Sequence, residues 1–338
     1  MKMVGVGLIG LGYWGPNYLR VLRQIPSVEY LAVCDTNRAQ LVSLHDAKIQ
    51  LYDTHKAFFN DKNIQAIIIA TPPLTHYDLT KMAINEQKHV LVEKPMTLSA
   101  DQAQELSDLA DNQQLILGSG HIFLYNDGIE YLNNHINKPS FGKIHEIECI
   151  RQSHGPIRTE VNVLWDLAPH DIAIALYLLN KMPHTVSAEG VKYLEDTQQE
   201  DSAIIQLYFD DHVYCNMKVN WRYPIKERLV TVIGSRSMIQ FSDTDVQAPI
   251  KIYEKSVERH GEQSYADYGT FKMITKDGGY HVPSMKIREP LLIQINDFLR
   301  CINEHKNPKS DGKLGVKVVQ ILEAAQYSLR HDGIKVKI

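Results

Sequence analysis

Three groups of residues in this 338-residue chain have the types and spacing to do chemistry. The first is Glu93-Lys94-Pro95, which follows the apolar run His89-Val90-Leu91-Val92. A lysine at the end of a buried strand can hydrogen-bond a hydroxyl and stabilise the alkoxide that develops on it. It can equally lay its stem along the surface and keep its ammonium in water, while Glu93 is held by backbone donors. The second group is Trp165-Asp166-Leu167-Ala168-Pro169-His170-Asp171. If the helix has begun, Asp166 and His170 lie one turn apart on one face. The histidine can then take a hydroxyl proton, while the carboxylate fixes its tautomer and raises its basicity. The competing reading makes Asp166 the helix cap, because Pro169 suits only a first turn, and His170 an ordinary helix histidine. No third ligand motif accompanies the pair, so a metal is not expected. The third group is Gly10-x-Gly12-x-x-Gly15, set between the apolar run Val4–Ile9 and a helical pattern from Pro16 onward. In that context Gly10 permits a tight turn, Gly12 lets a pyrophosphate approach the backbone, and Gly15 lets the helix pack on the strand. The helix N-terminus adds free N–H donors. Asp35 ends the next apolar run and can accept from an adenosine ribose, which favours NAD; Arg38 beside it keeps NADP tolerance open.

Elements must bring these groups into place, and composition limits what they form. Hydrophobic and charged fractions of 44% and 22% are those of an ordinary globular protein, so the length implies two domains. A net charge of −4 gives no footprint for nucleic acid or an anionic membrane. Cys34, Cys149, Cys215 and Cys301 are spread out without a C-x-x-C, which fits buried thiols in a reducing compartment. The N-terminal apolar run is broken by glycines and has no cleavage site, so it does not read as a secretory signal. No apolar stretch is long enough to span a bilayer, and a cytoplasmic location is expected.

The first third alternates strand and helix. Strands end at the glycine turn, at Asp35, at Thr71-Pro72-Pro73, at Glu93-Lys94-Pro95 and at Ser119-Gly120-His121. Right-handed crossovers place all five along the carboxyl edge of one parallel sheet, where such folds bind ligands. From about Gly142, segments Lys143–Gln152, Ser202–Phe209, Val213–Trp221 and Arg228–Ile233 alternate in polarity, which predicts one larger antiparallel sheet. A helix over Leu167–Leu179 interrupts them. Helices over Pro290–Asn303 and Gly315–Arg330 close the chain. Asp243–Pro283 stays unassigned. The fold class is therefore α/β: a doubly wound parallel sheet in residues 1–121, and in 122–338 an α/β domain with a large, mostly antiparallel sheet. If one face of that second sheet lacks helices, Leu207, Phe209, Met217, Val219, Trp221, Val230 and Val232 supply apolar surface, some of it for a homodimer or homotetramer partner.

Taken together, Gly10-x-Gly12-x-x-Gly15, Asp35, Thr71-Pro72, Glu93-Lys94-Pro95 and Asp166-x-x-x-His170 occur in the order and spacing of the Gfo/Idh/MocA oxidoreductases, which the whole chain resembles. The resemblance implies a Rossmann domain that binds NAD through Gly10, Gly12, Tyr13, Trp14, Gly15, Asp35, Thr71, Pro72, His76, Glu93 and Lys94. It implies that Lys94 and His170, with Asp166 beside them, act at the reacting hydroxyl carbon. Ala168 stands where many members have glycine. Gly120-His121-x-Phe123-x-Tyr125-Asn126 and Arg158-x-x-x-Asn162-x-x-Trp165 further resemble the branch that oxidises the 3-hydroxyl of UDP-N-acetylglucosamine or its uronate ahead of an aminotransferase. That likeness implies a small-molecule nucleotide-sugar substrate read by His121, Tyr125, Arg158, Asn162 and Trp165. Arginine suits a diphosphate or carboxylate in that role. The alternatives are a polyol- or inositol-type dehydrogenase, a 3-ketosugar reductase, an NAD-dependent glycosidase, and a non-catalytic dinucleotide sensor.

Overall fold

Short runs of Val, Ile and Leu build the first sheet. The computed structural model describes residues 2–44, 46–193, 199–259 and 273–338. Its first strands are β1 (Val4–Ile9), β2 (Val28–Cys34), β3 (Ile49–Tyr52), β4 (Ala66–Ile69), β5 (His89–Val92) and β6 (Leu117–Ser119). All pair in parallel, in the order β3-β2-β1-β4-β5-β6. Helices α1 (Gly15–Leu22), α2 (Arg38–Val42), α3 (His55–Phe59), α4 (His76–Asn85) and α5 (Ala100–Asn112) connect the strands. β1 and β4 are buried along their whole length, as strands covered on both faces must be. The strand order turns back between β1 and β4, and such a switch point opens a crevice at the carboxyl ends. Periodicity misses β3 and α3, which are only four and five residues long.

The second sheet has nine strands. With α6 (Asp127–Ile136) before it, the chain runs through β7 (Ile144–His154), α7 (Val163–Leu179), β8 (Thr185–Val191), β9 (Ser202–Tyr208), β10 (Tyr214–Asn220), β11 (Arg222–Gly234), β12 (Met238–Ser242), β13 (Ile250–Arg259) and β14 (Met273–His281). It ends with α8 (Pro290–Glu304), α9 (Gly312–Arg330) and β15 (Val336–Lys337). The order is β14-β13-β12-β11-β7-β10-β9-β8-β15, antiparallel except between β7 and β10. The unassigned stretch Asp243–Pro283 thus supplies β13 and β14, with residues 260–272 outside the described ones.

Two compact units result: Met1–Tyr125 with Arg288–Glu323, and Asn126–Ile287 with Ala324–Ile338. The first is discontinuous because α8 places Leu291, Ile295, Phe298 and Leu299 in the core that holds Val6, Leu8, Leu22 and Leu91. A single cut after residue 121 follows the order of the chain; the return of α8 shows only in three dimensions.

One expectation is corrected. Leu207, Phe209, Met217, Val219, Trp221, Val230 and Val232 are all buried by the chain itself. Register explains it. Ile205, Met217, Cys149, Val230 and Phe241 form one row across β9, β10, β7, β11 and β12. This apolar face lies under the unit's own helices, with α7 against β7, β9 and β10, and α6 against β12. The next row, Gln206, Asn216, Glu148, Thr231 and Gln240, faces the other way and is wholly polar. A further row on that face, Ile204, Lys218, Ile150 and Leu229, is mixed, with Ile204 exposed, so the seven residues named supply no partner surface while the open face keeps apolar side chains of its own.

Candidate active site

The glycine turn follows β1 and leads into α1. Gly10 has a φ of +95°, and a Cβ there would sit 2.8 Å from the Ala70 carbonyl oxygen, so only glycine fits without strain. At Gly15 a Cβ would collide with the Gly10 carbonyl. At Gly12 a Cβ would meet no described atom within 4 Å. The first and third glycines are thus demanded by the fold, and the second leaves open space over the turn. Trp14 occupies the α1 cap position without a capping side-chain bond; Pro16 has no N–H and Asn17 N donates to the Trp14 carbonyl at 2.9 Å, so in the first turn only the Gly15 amide is left to a ligand. Tyr13 beside it is exposed. Asp35 closes the turn from β2: its carboxylate accepts from Leu11 N and from Asn37 N, both at 2.7 Å. Open space at Gly12, the Gly15 amide at α1 and a carboxylate at the end of β2 fit a dinucleotide.

Glu93-Lys94-Pro95 emerges from β5 at the same edge. Glu93 is buried and accepts from Tyr18 Oη at 2.8 Å and from Lys94 N at 3.0 Å. Burial pushes its carboxyl above the usual range, against the pull of those bonds. Burial, then the Glu93 charge, raises the Tyr18 phenol as well. Gly120 allows this packing, since a Cβ there would lie 2.9 Å from Glu93 Oε2. His76 is fully buried and bridges two loops, with Nδ1 2.8 Å from the Pro95 carbonyl and Nε2 2.9 Å from that of Thr71. Two carbonyl partners ask for two N–H donors, while burial drives the imidazole toward its neutral form. Thr71 is also 2.7 Å from the Thr75 hydroxyl, which lies 2.8 Å from the Pro72 carbonyl. The Thr71-Pro72 and Lys94-Pro95 segments are therefore fastened together. His121 is buried as well, and neither ring nitrogen has a partner among the described residues. Burial, then the Lys94 charge, pushes it down to about 3. The Lys94 charge thus bears on two buried imidazoles, His76 and His121, and lowers both.

Tyr125 lies differently from the role implied for it. Its hydroxyl donates to Asp297 at 3.0 Å, lies 3.2 Å from Ser310 Oγ and accepts from Ser310 N. It ties the residues after β6 to α8 and to the loop that follows α8.

In the second unit, α7 starts four residues earlier than Leu167, the start that the sequence predicts. Asn162 is the cap: Oδ1 accepts from Trp165 N at 3.2 Å, while Nδ2 donates to Glu200 at 2.7 Å and to Gln326 at 2.9 Å. Trp165 Nε1 also donates to Gln326, at 3.1 Å. The amide of Asn162 is spent on holding the helix, and Asp166 is not the cap. Pro169 lies in the second turn, beyond the first turn assumed for it, and forfeits one helix bond there. Asp166 and His170 do share a helix face one turn apart. Asp166 Oδ2 accepts from Trp221 Nε1 at 3.0 Å, and Oδ1 is 3.9 Å from Arg158 Nε. Asp171 receives a buried fork from Arg151, with Nε at 3.1 Å and Nη2 at 2.7 Å. That pair pins α7 to β7 at the residue next to His170.

Tyr18, Trp221, Arg151 and Gln326 are the positioning residues that the sequence reading missed. Their partners lie far off in the chain, so no local pattern marks them. Lys94 and His121 belong to the first unit, and Arg158, Asp166 and His170 to the second.

Comparison with known proteins places this geometry. Residues 4–121 match the model of the oxidoreductase family with an NAD-binding Rossmann fold, and residues 129–240 match the GFO/IDH/MocA C-terminal domain. The UDP-N-acetylglucosamine 3-dehydrogenase of Acidithiobacillus ferrooxidans is 25% identical over 314 residues, covering 93% of each chain. The 2,7-anhydro-N-acetylneuraminate hydratase of Mediterraneibacter gnavus is 21% identical over 267 residues, 75% of this chain and 71% of the relative. Among solved structures, the WlbA dehydrogenase of Bordetella pertussis, in complex with NADH and UDP-GlcNAcA, superposes with a TM-score of 0.79 over 100% of this chain and 99% of its own, at 17% identity. With both family domains matched in order over most of its length, the chain belongs to the Gfo/Idh/MocA family and is an NAD-binding oxidoreductase acting on CH–OH groups.

Proposed function

We propose that this enzyme oxidises the C3 hydroxyl of a UDP-activated N-acetylamino sugar. The observation that carries the reading is Lys94 at the end of β5, its backbone N–H bonded to the buried Glu93 that Tyr18 holds, with its charge bearing on buried His76 and His121. Near-complete coverage of a UDP-N-acetylglucosamine 3-dehydrogenase supports the substrate class. NAD, when bound, supplies the hydride acceptor. Lys94 donates a hydrogen bond to the reacting oxygen and stabilises negative charge there. His170 takes the hydroxyl proton, and Asp166, itself held by Trp221, orients the imidazole. Arg158 meets the anionic part of the substrate.

The test is absorbance at the NADH band with near-stoichiometric enzyme, NAD and either UDP-N-acetylglucosamine or its uronate. A single-turnover rise that vanishes in Lys94→Met is expected. A second reading is favoured by the hydratase relative: the hydride returns to the same substrate, and no net NADH forms. Substrate consumption without the absorbance rise would select it. With NAD bound, no change in either sugar would reject the amino-sugar assignment and turn the search to polyols.

A further inference from the structure

The second unit holds a cavity that no step above uses. α6 rests so closely on β12 that a Cβ at Gly128 would run into the Phe241 ring. Beyond the end of α6 the sheet continues into β13 and β14. Register shows which face is left open there. Ile239 opposes Ile252, Ile252 opposes His281, and Ser256 opposes Lys276. Directly opposed residues share a face, so Ser256, Lys276 and His281 extend the same face that is apolar and helix-covered at Ile239.

Where the helical cover stops, the surface turns polar and cationic. His135 at the end of α6, Arg236 in the turn between β11 and β12, and these sheet residues line a cavity of about 690 Å³. That size holds a small metabolite. Arg236 is anchored by an Nη1 bond to the Pro139 carbonyl at 3.1 Å. Neither Arg236 nor Lys276 has an ion-pair partner among the described residues. His135 Nδ1 is buried and has no hydrogen-bond partner among them. Ser140, Ser235, Ser237 and Ser256 add hydroxyls, and Glu254 is the one carboxylate in the lining.

We propose that this cavity is a second ligand site, for a small phosphorylated sugar or polyol. The phosphate takes Arg236 and Lys276, because two cations on different elements suit its several oxygens. The serine hydroxyls and Glu254 take the sugar hydroxyls. Ile252 is the only aliphatic side chain in the lining, and no Phe, Tyr or Trp joins it. None of the lining residues belongs to the candidate active site.

The experiment is calorimetric titration of the full chain with glucose 1-phosphate, inorganic phosphate and glucose. Glucose 1-phosphate should bind most tightly, inorganic phosphate more weakly, and glucose not at all. The double variant Arg236→Ala/Lys276→Ala should weaken binding by about tenfold or more, with NAD affinity unchanged as the control for folding. Ser237→Ala should weaken glucose 1-phosphate but not inorganic phosphate. Lys94→Met should bind as the parent does, which separates this site from the catalytic reading. Absence of binding by both phosphates, or undiminished binding in the double variant, would overturn the proposal. Equal affinity for the two phosphates would overturn its sugar component.

Discussion

Asp166 can direct a histidine only if it is itself held, and the indole N–H of Trp221, at 3.0 Å, is one of the groups that hold it. This sets an order of effects. His170→Ala removes the proposed proton acceptor and should lower turnover by roughly 10²–10⁴-fold, with NAD affinity retained. Trp221→Phe keeps most of the buried ring, loses only the donor, and should lower kcat by a smaller factor while KM barely moves. A Trp221→Phe loss equal to that of His170→Ala, or loss of NAD binding in either variant, would assign these residues to the fold instead. Residue type and spacing were enough to nominate the candidates at this scale, and gave no sign of their supports. Trp221 is 55 positions from Asp166, Tyr18 is 75 from Glu93, and Gln326 is 164 from Asn162. A hydrogen bond that closes so long a loop leaves no trace in a window of a dozen residues.

Between strand and helix, the glycine turn divides its duties. Gly15→Ala would push a methyl into the Gly10 carbonyl and should lower Tm. Gly12→Ala enters open space and should leave Tm close to the parent while NAD affinity falls, since the added methyl occupies the approach to the turn. Thermal melts alongside NAD titrations of both variants check this, and a destabilised Gly12→Ala with intact NAD binding would contradict it. The Rossmann strands were legible because short β-branched runs alternate with amphipathic helices. α7 was harder. It is apolar on nearly every face, with twelve of its residues buried, so it lacks the polar stripe that marks a helix start, and Pro169 suggested too late a beginning. Asn162 is the cap in the structure, a role sequence does not separate from that of a substrate-reading amide.

Across the whole molecule, buried imidazoles couple folding to acidity. His89 accepts from Ile116 N at 2.9 Å and is pushed down to about 4 by burial, then by the charge on His305; His121 is pushed down to about 3. An exposed imidazole in the unfolded chain titrates near about 6.5. Below that value the unfolded chain binds protons that the folded one refuses, so these groups cost no stability above about pH 6.5 and progressively more down to pH 4 and 3. Tm should therefore fall between pH 7 and pH 5, and His89→Asn, which keeps an acceptor without titrating there, should flatten the fall. Parallel pH profiles for parent and variant would refute the assignment. The open face of the large sheet teaches a related lesson: alternation along a strand separates two faces but does not say which one the chain covers, and only register showed that the apolar row lies inside. The interleaving of the first unit has a further consequence, for synthesis. A ribosome releases residues 1–125 long before it reaches α8, yet α8 carries part of their core. The nascent Rossmann segment must wait, with apolar surface uncovered, while all of the second sheet but β15 is translated. The domain encoded first is completed only after nearly all of the domain encoded second has emerged, which makes the unfinished dinucleotide half the natural client of a chaperone.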